Sequence, residues 1–227
     1  MIEYENLTFI GTSHISPESI RLVQRIIQEK KPEFVALELD RGRFAGLMAK
    51  KKERRRLSFK EFRKFGLSGF VFALIGAWVE GKMGKMVGTT PGGEMKAAVH
   101  EAAKAGAKIL LIDQEISITI KRLFKALTWR EKSRFVIDIV KGVFGYGEVA
   151  HFDLKEVPED SLIEHLIGQV KERYPSVYRT LIEERNVYMA KKLAVSLKKH
   201  PDARIVVVIG AGHEKAILEL ITRSIRA

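Results

Sequence analysis

The side chains best placed to do chemistry in this 227-residue chain are two histidines near opposite ends, His14 and His213. Each follows an apolar run, a glycine and two more residues: "FIGTSH" ends at His14 and "VIGAGH" at His213. A helix start lies beside each. Imidazole ligates divalent cations and exchanges protons near neutral pH. Two imidazoles with one or two carboxylates make a nitrogen–oxygen site suited to Zn²⁺, Mn²⁺ or Co²⁺. A metal there polarises a carbonyl or acidifies a water; without one, the same groups form a general acid/base pair. Glu38 and Asp40 close the run "FVALELD", and Asp113 closes "ILLID". Glu38 is the expected carboxylate, as ligand or base. The plain alternative has each histidine bonding a nearby carbonyl and Glu38 pairing with Arg41 or Arg43.

For residues so far apart to meet, the elements carrying them must share an end. Four short runs rich in β-branched residues or phenylalanine read as buried parallel strands: Leu7–Gly11, Phe34–Asp40, Ile109–Asp113 and Arg204–Gly210. Ser16 suits a helix N-cap, Pro17 the first helical position and Glu18 the positive helix end. Pro32 stops the helix that follows, which completes a βαβ unit. The expected fold is α/β, a mostly parallel sheet with flanking helices and a large helical insertion between the early strands and the last. One domain is expected over 1–227, with its core at about 1–42, 88–115 and 200–227 and helical insertions at about 43–87 and 116–199. In such sheets ligands bind beyond the carboxyl ends of the strands. That rule brings His14, Glu38 and His213 to one rim. Gly11 and Gly210 permit tight turns and close approach of backbone to a ligand.

Three further residues have two readings. Glu94 follows "TTPGG" at a helix entry, where the helix dipole favours a carboxylate; it joins the site if the glycines bring that turn to the rim. Arg185 and Asn186, in "IEERNVYMAKKL", sit on a helix. Arg185 is either solvated or a clamp for a substrate carboxylate. His100, His151, His165 and His200 share no such context.

Composition narrows the classes. Apolar residues make up 46% and charged residues 30%, a globular balance. With no cysteine, disulfides, thiolate nucleophiles and Cys-type zinc sites are excluded. The start, "MIEYENLTFIG", lacks the order of a signal peptide, so an intracellular setting is expected. A net charge of +12, densest in "KKKERRR", lacks the motifs and aromatic pattern of specific nucleic-acid binding. The apolar stretch 66–79 is too short to cross a bilayer and is expected to be buried or to form a homodimer. No Walker, GxGxxG, GxSxG or HExxH sequence occurs.

The motifs "IGTSHIS", "ALELDRGR", "PGGEMKAA", "LLIDQEISITIKR", "ERNVYMAKKL" and "VVVIGAGHEKAI" run through nearly the whole chain. Their order resembles the TraB/PrgY pheromone-shutdown family, above all its archaeal branch. The resemblance extends to the Tiki metallopeptidases and, in fold, to ChaN-like and erythromycin-esterase-like proteins. It implies a metal-dependent hydrolase acting on a peptide or a small amide or ester. The implied site comprises His14, Glu38 and His213 as metal ligands, with Arg185 as a fourth catalytic residue. Gly11, Arg43, Glu94, Asn186, Gly210 and Gly212 are implied to bind substrate. The other function left open is a non-catalytic module that sequesters a signal peptide or regulates a membrane partner. Many relatives read "IDR" where this chain has Ile112, Asp113 and Gln114; the missing guanidinium is a fork glutamine does not replace. Membrane attachment through a C-terminal region beyond this chain, at the cytoplasmic face, is also implied.

Overall fold

A computed structural model describes residues 1–12, 17–49, 92–143 and 160–226. His14, the basic run at 50–56 and the apolar stretch 66–79 lie outside the described residues. Five strands are described: β1 (Ile2–Tyr4), β2 (Leu7–Thr12), β3 (Phe34–Leu37), β4 (Lys108–Leu111) and β5 (Ile205–Gly210). They form one sheet in the order β1-β2-β5-β3-β4. All neighbours are parallel except β1 with β2. The α/β architecture with a mostly parallel sheet is as the sequence leads one to expect.

The uninterrupted apolar character of "IVVVIG" has a direct cause. β5 lies between β2 and β3, and all six of its residues are buried, as strands covered on both faces require. Alternate side chains feed two cores. On one face Ile10, Val35, Leu37, Val206 and Val208 meet α1 (Pro17–Lys30) and α3 (Gly93–Ala105). Helix α1 offers Val23, Ile26 and Ile27, the i, i+3, i+4 stripe of a half-buried helix. On the other face Phe9, Ala36, Val207 and Ile209 pack with α8 (Glu184–Lys199) and α9 (Ala211–Arg226). Met189 and Leu193, then Ile217 and Ile221, are spaced four apart and fully enclosed.

Strand limits differ from the expectation at several ends: β2 runs on to Thr12, β4 spans Lys108–Leu111 and β5 begins at Ile205. The run ending at Asp40 leaves the ladder after Leu37, because Asp40 turns to cap α2 (Arg41–Met48), accepting from the N–H groups of Gly42 and Arg43. β1 was not foreseen, since three residues are too few for a periodicity signal. Its turn is fastened from outside: Asn6 Nδ2 donates to the carbonyls of His200 at 2.9 Å and Ala203 at 2.6 Å. The described part of 116–199 is helical apart from Leu127, Thr128 and Tyr174: α4 (Ile116–Ala126), α5 (Trp129–Val143), α6 (Asp160–Arg173), α7 (Pro175–Tyr178), a π-helix (Arg179–Glu183) and α8. Among the described residues no helix is long and apolar enough to cross a membrane.

Gly11 is explained by packing. A Cβ at this position would stand 2.5 Å from Glu214 Oε2 and 3.2 Å from the Ala211 Cα. The first turn of α9 therefore sits directly on β2. Gly11→Ala is expected to destabilise the fold by about 1–3 kcal/mol through overpacking. Urea unfolding of the two proteins checks this; equal midpoints would mean that α9 does not press on β2.

Candidate functional site

The carboxyl ends of β3, β4 and β5 gather the ionisable residues. Glu38 is the first residue beyond β3, Asp113 lies two beyond β4, and Gly210 ends β5. His213 stands in the first turn of α9; Arg185 and Asn186 stand in the first turn of α8. Glu38 is 5% exposed, Asp113 4% and Asn186 4%. Buried carboxylates need partners. Here one guanidinium supplies most of them.

Arg185 donates from Nε to Asp113 Oδ1 at 3.1 Å and from Nη2 to Asp113 Oδ2 at 2.7 Å. The same Nη2 bonds Glu38 Oε1. Nη1 donates to the Leu181 carbonyl at 3.0 Å. Leu181 belongs to the π-helix that runs into α8. The first turn of α8 is thus tied back to the π-helix by the same side chain that reaches the carboxylates.

The remaining carboxylate atoms are also held. Glu38 Oε2 accepts the Gly210 N–H at 2.7 Å, which ties β3 to the end of β5. Asp113 Oδ1 accepts the Gln114 N–H at 2.7 Å. Arg43 bonds Asp113 Oδ2 through Nη2 and Asp40 Oδ2 through Nε, the latter at 2.6 Å. The series Asp40, Arg43, Asp113, Arg185 and Glu38 alternates in sign, with three carboxylates against two guanidiniums. One negative charge is left over inside this group. His213 is beside it, with Nε2 at 3.5 Å from Glu38 Oε1. The other ring nitrogen, Nδ1, lies 2.5 Å from Asn186 Oδ1. An amide oxygen accepts, so Nδ1 donates to Asn186 and Nε2 is the ring nitrogen turned to Glu38.

Burial pushes the Asp113 carboxyl up, but hydrogen bonding and attraction from Arg185, then Arg43, outweigh it and hold the group below the usual aspartate value. Burial opposes the charge on Arg185 as well. Asp113 and Glu38 outweigh that and raise its affinity for the proton. At Asp40 burial is likewise outweighed by Arg43, and the carboxyl titrates below its ordinary range.

Of the residues expected at the site, Glu38, Arg185, Asn186, Gly210 and His213 come together. Arg43 joins through Asp113. Glu94 is buried in the first turn of α3. That helix leads through Gly106 into the start of β4, so its first turn lies toward the carboxyl end of the sheet. Gly11 receives α9, and Gly212 lies half-buried in α9's first turn. Glu38 pairs with Arg185, whereas Arg43 takes Asp40 and Asp113. Arg185 is neither solvated nor open-handed. A substrate carboxylate would have to displace bonds it already makes. Asp113 is the residue the sequence reading placed at the rim without a role; its signal was an acid ending a buried strand. Gln114 is buried and donates to Thr119 Oγ1 at 2.9 Å, a neutral pair.

Whether these groups suit a metal can be tested on the donors. Among the described residues no group of three His, Asp or Glu side chains is arranged to hold one. Two donors do fit. The 3.5 Å between His213 Nε2 and Glu38 Oε1 is close to the separation of roughly 3.4 Å between neighbouring ligands on a tetrahedral ion with bonds of about 2.1 Å. The Asn186 contact at Nδ1 is the outer support that ligating histidines usually have. A third ligand would be His14.

A parallel sheet with helices on both faces and a histidine–carboxylate pair at its rim defines an α/β protein with its functional groups at the strand ends. The chain belongs to the TraB/PrgY/gumN family, whose pattern matches residues 2–223. It is 34% identical over 220 residues to the uncharacterized protein MJ1365 of Methanocaldococcus jannaschii, covering 96% of this chain and 54% of that protein. It is 27% identical over 230 residues to the human TraB domain-containing protein, covering 92% of this chain and 60% of that one. The mouse protein of the same name is 26% identical over a similar span. The chain thus spans little more than half the length of these relatives.

Removing Arg185 takes the guanidinium from buried Glu38 and leaves buried Asp113 with Arg43 alone. Arg185→Ala is expected to cost about 3–5 kcal/mol at pH 7. In the native protein Asp113 titrates below its ordinary value. Its stabilisation is therefore complete above about pH 4 and is lost as pH falls through the depressed value. In the variant the buried acids gain by protonation, so the gap between the two proteins should narrow towards pH 3. Denaturant unfolding across this range checks the sign. A gap that widens in acid would contradict the assigned pairing.

Proposed function

We propose that the domain is a metal-dependent hydrolase acting on a peptide or a related amide or ester. The observation that carries this reading is the His213–Glu38 pair: an imidazole fixed at one nitrogen by Asn186, its other nitrogen turned to a buried carboxylate. A structural histidine needs no such aim. His14, Glu38 and His213 would hold the cation, of Zn²⁺, Mn²⁺ or Co²⁺ type. When bound, that cation would polarise the scissile carbonyl and lower the pKa of a water.

The chain's own groups have separable roles. Glu38 is held by Gly210 N–H at one oxygen and shares the other with Arg185. His213 presents Nε2 for a ligand bond or a proton. Asn186 keeps the ring from rotating, and Gly210 N–H holds Glu38 at the rim. Arg185 keeps the site's charge low enough for the carboxylates to stay buried. Attachment of the whole protein to the cytoplasmic face of a membrane belongs to this proposal too. It is consistent with the relatives' extra length and requires no spanning helix within the described residues.

One observation favours a second reading. Glu38 and Asp113 are already engaged by Arg185, an arrangement suited to binding a peptide without cleaving it. Metal analysis of untagged protein, followed by product detection on a mixed peptide library, separates the two. The hydrolase reading predicts about one bound divalent ion per chain and product formation. It also predicts that His213→Ala and His14→Ala each lower turnover by at least about a hundredfold. Turnover that survives both substitutions overturns it; saturable peptide binding with no product supports sequestration.

A further inference from the structure

We propose that the outer edge of β4 and the facing stripe of α8 form a docking groove for an extended, acidic peptide segment, which pairs with β4 as an added strand. β4 ends the sheet, and among the described residues no strand pairs on its outer side. The ladder to β3 uses alternate residues: the Lys108 N–H donates to the Glu33 carbonyl at 2.9 Å and the Ile112 N–H to the Leu37 carbonyl at 3.1 Å. In a parallel ladder the residues between point the other way. The N–H and C=O groups of Ile109 and Leu111 therefore face outward.

A groove of about 610 Å³ runs along this edge. Its far wall is Tyr188, Lys192, Val195 and Lys199 of α8, spaced four, three and four residues apart, a single helical stripe. Val195 is 58% exposed, an apolar side chain standing open on that wall. The groove ends at Asp40 and Asp113, at the sheet's carboxyl rim. A strand lying in it would deliver its end beside the Arg185 cluster.

The chemistry of the walls selects the occupant. Outward N–H and C=O groups in strand geometry are matched by another backbone. A compact small molecule cannot repeat their spacing. Arg41, Lys192 and Lys199 line the groove against Glu115, while the other two acids in its lining, Asp40 and Asp113, are already paired with Arg43 and Arg185, so carboxylates on the added segment are favoured. A second copy of this chain is disfavoured, because each copy carries a net charge of +12. Docking does not depend on the hydrolase reading and is measured without turnover.

The probe is a fluorescein-labelled peptide of alternating Glu and Val, about ten residues long, with a Lys–Val counterpart as control. Anisotropy should show saturable binding of the Glu peptide and none of the Lys peptide. Amide hydrogen exchange at Ile109 and Leu111 should slow at saturation. The double variant Lys192→Glu, Lys199→Glu should weaken binding at least about tenfold while its melting curve stays unchanged. Glu peptides N-methylated at every second residue should bind in one register and fail in the other. Absence of saturable binding overturns the proposal, as does binding that leaves Ile109 and Leu111 unprotected. Protection that appears with rising protein concentration and no peptide overturns it in favour of self-pairing at β4.

Discussion

Glu38 and Asp113 share the Arg185 guanidinium, with Arg43 as a second partner of Asp113, and the rim of this sheet is built around that pairing. Neither carboxylate has enough exposure to be stabilised by water. Arg185 reaches both, so α8 is held against the ends of β3 and β4 by charge as well as by the Met189–Leu193 face beneath. Asn186, the next residue, meets His213 from the same turn of α8.

The sheet sets the distances. β5 lies between β2 and β3, so the elements leaving β2, β3 and β5 emerge side by side. Gly11 lets α9 begin against β2, and the backbone N–H of Gly210 holds Glu38. His213, three residues on, then meets Glu38 with no long side chain to bridge the gap. The groove at β4 begins where this cluster ends, since Asp113 belongs to both. A bound strand and the candidate site would share one carboxylate's surroundings.

Much of this was readable in the residues. Four apolar runs gave four parallel strands because strands covered on both faces tolerate few polar residues. The matching glycine–histidine contexts marked strand ends, and the rim rule placed Glu38 beside His213. The pairing of charges was not readable. Arg185 is 147 positions from Glu38 and 72 from Asp113, and helical periodicity says only which face of α8 is apolar. Asp113 looked like a strand terminus because its role depends on an arginine from another element. Gly11 has a packing reason that the sequence did not reveal: it accepts the first turn of a helix. β1 was hidden by its length.

The most direct test of the shared guanidinium is a double-mutant cycle between Arg185→Ala and Asp113→Ala, read by denaturant unfolding at neutral pH. If the two side chains stabilise each other, the double variant should be at least about 2 kcal/mol less damaged than the sum of the single losses. Losses that add to within about 0.5 kcal/mol would show that the two groups do not hold each other, and the rim would need another explanation.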